Sequence, residues 1–212
     1  MHTKAPYPKR SNRQTGFSLI EVLISIAILS FGLLGLVGLQ AAALQGNRDA
    51  RLQSSAVSLA RELAEMMRSN KNATIAALTP VNPYLGDFNT NPLVSTAPSY
   101  CLNAGSAPAA CSGNITTIAN AQMTEWLARV SNELPGARVV VCIDSNPYDA
   151  TGKPRWACDN AGISTASVIK IGWTRSATDR TQAGDAAFDK VMGAGAKPPS
   201  IVLPVIAGVA NS

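Results

Sequence analysis

Arg13-Gln14-Thr15-Gly16-Phe17-Ser18-Leu19-Ile20-Glu21, running on through Val22 to Leu39, decides how this chain is read. From Phe17 to Leu39 nearly every residue is apolar or small, and Glu21 is the one ionisable group. A helix over this stretch rises roughly 35 Å, enough to cross a hydrocarbon layer of ~30 Å. The residues before it are few and basic; those after it are polar and helical, then globular. A cleavable secretory signal has a shorter apolar core, about 7–15 residues, closed by small residues. Here the run passes without a break into Gln40-Ala41-Ala42-Ala43-Leu44-Gln45. The stretch is therefore expected to be a membrane-spanning stem.

Glu21 sets a further condition. A carboxylate inside a spanning helix is unfavourable and calls for a partner. No basic residue lies within a helical turn on its C-terminal side, and the nearest before it is Arg13. A cut between Gly16 and Phe17 would create an α-amino group four residues ahead of Glu21. That amine, on the same chain or a packed neighbour, would neutralise the carboxylate. The pair would then pin the register between helices.

Lys9-Arg10 and Arg13, then Gly16, then Phe17-Ser18-Leu19-Ile20-Glu21-Val22-Leu23-Ile24 resembles the class III signal of type IV pilins and related pseudopilins. The resemblance implies that a membrane-embedded prepilin peptidase cuts after Gly16 and N-methylates Phe17. It also implies that Glu21 aligns each subunit in the filament. Major pilins usually carry a proline about two-thirds of the way down the apolar segment. This chain has Gly38 there, after Gly32 and Gly35. Glycine weakens a helix by up to ~1 kcal/mol relative to alanine without the clash of proline. A close-packing face of small residues and an easily bent helix are both compatible with that. The stretch from Ser30 to Ala41 is similar to minor pilins of the PilV type.

Composition narrows the function. The 212-residue chain has a formal charge of +5, but Lys4, Lys9, Arg10 and Arg13 all lie in the leader, and without them the remainder is near +1. The basic balance thus sets a cytoplasmic N-terminus and gives no reason to expect nucleic-acid binding. The only histidine is His2, so a processed chain would lack the usual base for a serine or cysteine nucleophile. Asp144 and Asp149 could in principle form a carboxylate pair, yet they sit in a Pro- and Asn-rich stretch that reads as a turn. No enzymatic activity, cofactor or metal is expected.

Cys101, Cys111, Cys142 and Cys158 all follow the span. On the side away from the positive leader they face an oxidising compartment, where an even count favours disulfides. Four cysteines allow three pairings. Closure of short, turn-rich loops favours Cys101–Cys111 and Cys142–Cys158. No CxxC or Cys/His spacing supports zinc.

Three domains are expected: a leader over 1–16, an N-terminal helix over 17–72 with its stem at 17–39, and a head over 73–212. Leu52, Ala56, Leu59, Leu63 and Met66 form one apolar helical stripe. Arg61, Glu65 and Arg68 make paired charges on other faces. Residues 73–114 read as a loop. Ile115, Ala119, Met123, Trp126, Leu127, Val130 and Leu134 define a second helix, stopped by Pro135-Gly136. Asn114-Ile115-Thr116 matches the glycosylation triplet, a pattern common by chance.

Strands are expected at 138–143, 167–174 and 201–206, with 175–199 a long loop. In the second strand, Val168 and Lys170 alternate against Ile169, Ile171 and Trp173. Pro204 has no N–H for a ladder, so its strand belongs at an edge or a bulge. The fold class is α+β: a long helix packed on a small antiparallel sheet, which is also the pilin layout.

The resemblance implies a minor pilin of a bacterial type IV pilus, held single-pass in the inner membrane with its head in the periplasm. Its partners would be prepilin peptidase, other minor pilins and the major pilin, in a hetero-oligomeric priming complex or at the filament tip. Twitching motility and adhesion would depend on the fibre. A type II secretion pseudopilin has the same signal and stem. A periplasmic protein on an uncleaved anchor is the reading from a different class.

Overall fold

The computed structural model describes residues 16–75, 82–102, 111, 114–159, 166–176, 188–193 and 195–206. The leader cations, His2, the middle of the Cys101–Cys111 loop and 177–187 lie outside the described residues. The chain divides into two compact units, Met1–Asn47 and Arg48–Ser212.

Helix α1, Leu19–Ser69, runs through both units. The Ser18 carbonyl opens it by accepting from the amides of Glu21 at 3.0 Å and Val22 at 3.4 Å. In the first unit α1 is apolar and exposed, and it continues unbroken through Gly32, Gly35 and Gly38. It is the one helix among the described residues long and apolar enough to cross a membrane. The two hydroxyls of its apolar half return to the backbone: Ser25 donates to the Glu21 carbonyl at 2.7 Å and Ser30 to that of Ile26 at 2.8 Å. A helix that satisfies its own hydroxyls this way carries less polar surface into lipid.

In the second unit α1 becomes one-sided. Ala56, Leu59, Ala60, Leu63, Ala64 and Met67 are buried, with Leu52 and Met66 packed at the margin of the core. Ala60, Ala64 and Met67 add to the expected stripe, and the small alanines let the facing elements approach closely. Glu65 and Arg68 pair at 2.5 Å on an exposed face. The helix stops at Ser69, short of the expected 72, and a turn at Asn70 leads into a five-residue helix α2, Lys71–Ile75. The buried Thr74 hydroxyl donates to the Met67 carbonyl at 2.6 Å, fastening α2 to the end of α1.

Helix α3, Ile115–Glu133, begins where the sequence places it. Asn114 is its N-cap, and its side chain accepts from the Thr116 amide at 2.9 Å. Ala119, Met123, Trp126, Leu127, Val130 and the C-cap Leu134 are buried. Ile115, assigned to the same face by spacing, stays exposed at the first turn. The Trp126 indole donates to the Leu59 carbonyl at 3.1 Å, and the Arg129 guanidinium grips the Glu62 carboxylate with both nitrogens. Both contacts lock α3 against α1. Gly136 ends the turn after α3 with φ +55, a left-handed conformation that glycine adopts freely. A Cβ there would also lie 2.5 Å from the Thr174 hydroxyl oxygen.

The strands are β1 Gly86–Phe88, β2 Arg138–Ile143, β3 Ala166–Gly172, β4 Arg175–Ser176, β5 Phe188–Asp189 and β6 Ile201–Ile206. Four of them form an antiparallel sheet in the order β1-β2-β3-β6; β4 and β5 pair separately. Two loop expectations are thereby corrected. The segment 73–114 contains the end of α2 and all of β1, and 175–199 contains β4 and β5. Strands of two or three residues, one of them Gly86-Asp87-Phe88, are too short to show a period. Pro204 sits on the edge strand β6, opposite Val168.

Val139, Val141, Ile169, Ile171, Trp173, Ile201 and Val205 join the buried residues of α1 and α3 in one core. The architecture is a pilin-like α+β fold, a long helix packed on a small antiparallel sheet. The opposite face of the sheet carries Val140, Cys142, Val168 and Lys170, and these are buried as well.

Candidate processing segment and head cluster

The first unit holds Gly16, Phe17 and Glu21. Gly16, Phe17 and Ser18 precede the helix in a non-helical conformation and are exposed. A Cβ added at Gly16 would meet no atom within 4 Å. The Phe17 side chain is 85% exposed. The Gly16–Phe17 junction is thus exposed, non-helical backbone. Glu21 lies in the first turn of α1, where the unsatisfied amides and the helix dipole favour a negative charge. Between Phe17 and Asn47 it is the only ionisable side chain. An α-amino group at Phe17 would be the closest cation in sequence.

The second unit holds the cysteines. Cys101 bonds to Cys111 and Cys142 to Cys158, with Cα separations of 5.2 and 6.3 Å. The second bond ties the segment after β2 back onto the sheet face that the alternation leaves to Val168 and Lys170. Beneath it Lys170 is wholly buried. Its ammonium donates to Asp144 Oδ2 at 2.5 Å and to the Ala157 carbonyl at 2.7 Å, and lies 3.8 Å from Cys158 Sγ. Asp144 Oδ1 accepts from the Asn146 amide at 3.0 Å, and an Arg155 nitrogen lies 4.0 Å from it.

The two carboxylates considered as an acid–base pair have separate occupations. Asp144 is a buried ion-pair partner. Asp149 is exposed and organises a turn, accepting from the Thr151 amide, the Thr151 hydroxyl and the Lys153 amide. The Thr151 hydroxyl, followed by the Lys153 amide, holds the Asp149 carboxyl below the usual carboxylate range. A group held ionised in this way is a poor general acid. Cys142 Sγ, Cys158 Sγ and an Asp144 oxygen lie within 4.8 Å of one another. With both sulfurs in a disulfide and the carboxylate on Lys170, the donor set does not fit a metal ion.

Asp144 and Lys170 are not legible as partners in the sequence. An isolated lysine in an alternating strand normally points to water. The available signal is Cys158, whose bond to Cys142 draws a covering segment over that face.

Alongside the bond runs a groove of 720 Å³, lined in part by Asp87, Arg138, Cys142, Trp156 and Cys158. Arg138 grips Asp87 through Nε at 3.1 Å and Nη2 at 2.7 Å, and its guanidinium lies 4.6 Å from the centre of the Trp156 ring. The Trp156 indole donates to the Lys197 carbonyl at 2.7 Å.

Residues 11–37 match the family described as the prokaryotic N-terminal methylation motif. Residues 38–123 match the one described as type IV pilin Tt1218. The first match contains Gly16, Phe17 and Glu21. The second runs from the stem into α3, and strands β2 to β6 lie beyond it. No curated protein and no solved structure matches the chain.

Proposed function

We propose that this chain, which carries an N-terminal methylation motif followed by a type IV pilin domain, is a minor pilin of the PilV type. In this reading prepilin peptidase removes residues 1–16 and methylates the Phe17 amine. The N-terminal segment 17–72, most of it helix α1, carries the stem, and 73–212 form the head. The stem holds the protein single-pass in the inner membrane with its head in the periplasm. It then joins other minor pilins and the major pilin in the complex that primes the filament or sits at its tip. Twitching motility and adhesion follow from the fibre. The protein acts by assembly and catalyses nothing.

The observation that carries this reading is the junction itself. An exposed Gly16-Phe17 bond stands one turn ahead of Glu21, on a helix with no other charge before Arg48. Cutting there exchanges the four leader cations for one amine beside the carboxylate. The reading is tested by the mass of the N-terminal peptide from membrane-extracted protein. A chain beginning at N-methyl-Phe17 is expected; one still beginning near Met1 overturns the proposal.

Glu21→Val is expected to insert into the membrane normally, because it removes the only charge of the stem. Its incorporation into sheared filaments should fall at least about tenfold, since a paired intramembrane carboxylate is worth on the order of 1.4 kcal/mol or more. Quantitative immunoblotting of sheared fibres reads this directly. Equal incorporation would remove the register role.

A further inference from the structure

We propose that the Cys142–Cys158 bond is a thiol–disulfide exchange site, attacked at Cys142 and released at Cys158, for a dithiol reductant approaching through the adjoining groove. The bond does not sit in a purely apolar setting. The three N–H bonds of Lys170 are shared among Asp144 Oδ2, the Ala157 carbonyl and Cys158 Sγ, which matches the donor capacity of an ammonium. Lysine and aspartate are both fully buried, yet a buried ion pair generally adds little stability over apolar side chains of the same volume. The placement of this one next to a sulfur gives it a chemical use. A cation beside a cysteine stabilises the thiolate, and a stabilised thiolate leaves faster in exchange.

The charges around the sulfurs favour the same outcome. An Asp144 oxygen lies within 4.8 Å of both and opposes a thiolate. It is already bonded to Lys170 and faces Arg155 at 4.0 Å. Across the groove Arg138 and Asp87 offset each other. The only donor on either sulfur among the described residues is Lys170, and it is on Cys158. Access is the competing effect, because Cys142 is only 9% exposed and Cys158 somewhat more. Both cysteines line the groove, which gives the attacking thiolate its approach, and in this proposal the leaving group decides between them.

In the first step a thiolate of the reductant attacks Cys142 Sγ along the S–S axis. The S–S bond breaks, and its electron pair stays on Cys158 as a thiolate held by Lys170. The second thiol of the reductant gives its proton to water and attacks the reductant sulfur of the mixed disulfide. Cys142 leaves and takes up a proton. Two electrons pass to the protein, and the dithiol becomes a disulfide. Reduction unties the 144–159 segment from β2 and opens the face over Lys170.

The test uses full-length protein in detergent, exposed briefly to reduced glutathione and quenched with iodoacetamide, with adducts located by peptide mass. Glutathione on Cys142 with Cys158 alkylated is expected. Glutathione on Cys158, or equal amounts on both, overturns the proposal. In the K170Q/D144N double variant, a neutral pair of similar size, opening by dithiothreitol should slow about tenfold relative to the Cys101–Cys111 bond of the same molecule. An unchanged ratio also overturns it. If that variant does not fold, the adduct position in the unaltered protein still decides.

Discussion

Trp126→Ala should destabilise the head by about 3–5 kcal/mol, the range for deleting a large aromatic from a packed core. The residue is fully buried on the inner face of α3. Its indole N–H also meets the Leu59 carbonyl of α1 at 3.1 Å, so truncation removes packing and an inter-helix hydrogen bond together. Against a total of roughly 5–15 kcal/mol for a single domain, that loss brings the head close to unfolding. Urea unfolding of the detergent-solubilised chain, followed by tryptophan fluorescence, measures it. Trp173 is buried and Trp156 half-buried, so a signal remains in the variant. Ile115→Ala is the contrast: at 45% exposure it should change stability by no more than about 0.5 kcal/mol. A Trp126→Ala cost below about 1 kcal/mol would mean that α1 and α3 close over the space.

Gly16→Glu should abolish processing. Gly16 lies in exposed, non-helical backbone with open space around its Cα, so the glutamate folds without a clash. In the proposed function the defect would lie in recognition by the peptidase, because a bulky charge would replace the small residue before the cut. Unprocessed chain should then accumulate in the membrane, still carrying its four leader cations. Immunoblotting reads the size difference, and assembly into fibres should fall with it. Normal amounts of mature protein from Gly16→Glu would count against cleavage at this bond. Gly16→Ala, by comparison, is expected to retain partial processing.

The parts of this fold with a sustained period are legible in sequence. The stripe of α1, the face of α3 and the alternation of β3 are such periods, while the stem, β2 and β6 are legible as apolar or β-branched runs of six residues or more. The methylation motif is legible for another reason: a lone carboxylate, Glu21, stands out in an apolar run because it is costly there. The short elements are not legible. β1, β4 and β5 are fixed by their pairing partners and not by their own residues. The head cluster is half legible. Short-loop closure favours Cys142–Cys158, but the burial of Lys170 depends on a covering segment, and no local pattern in β3 records that segment.

The sheet ends in two different ways, and both bear on solubility. β1 is only three residues long, and β6 carries Pro204, which offers no backbone donor. Short strands and prolines at sheet borders are known means of discouraging strand addition by a second chain. Many copies of this head held side by side would therefore find little template for intermolecular β-pairing. Ordered association among them is then left to side-chain surfaces and helices.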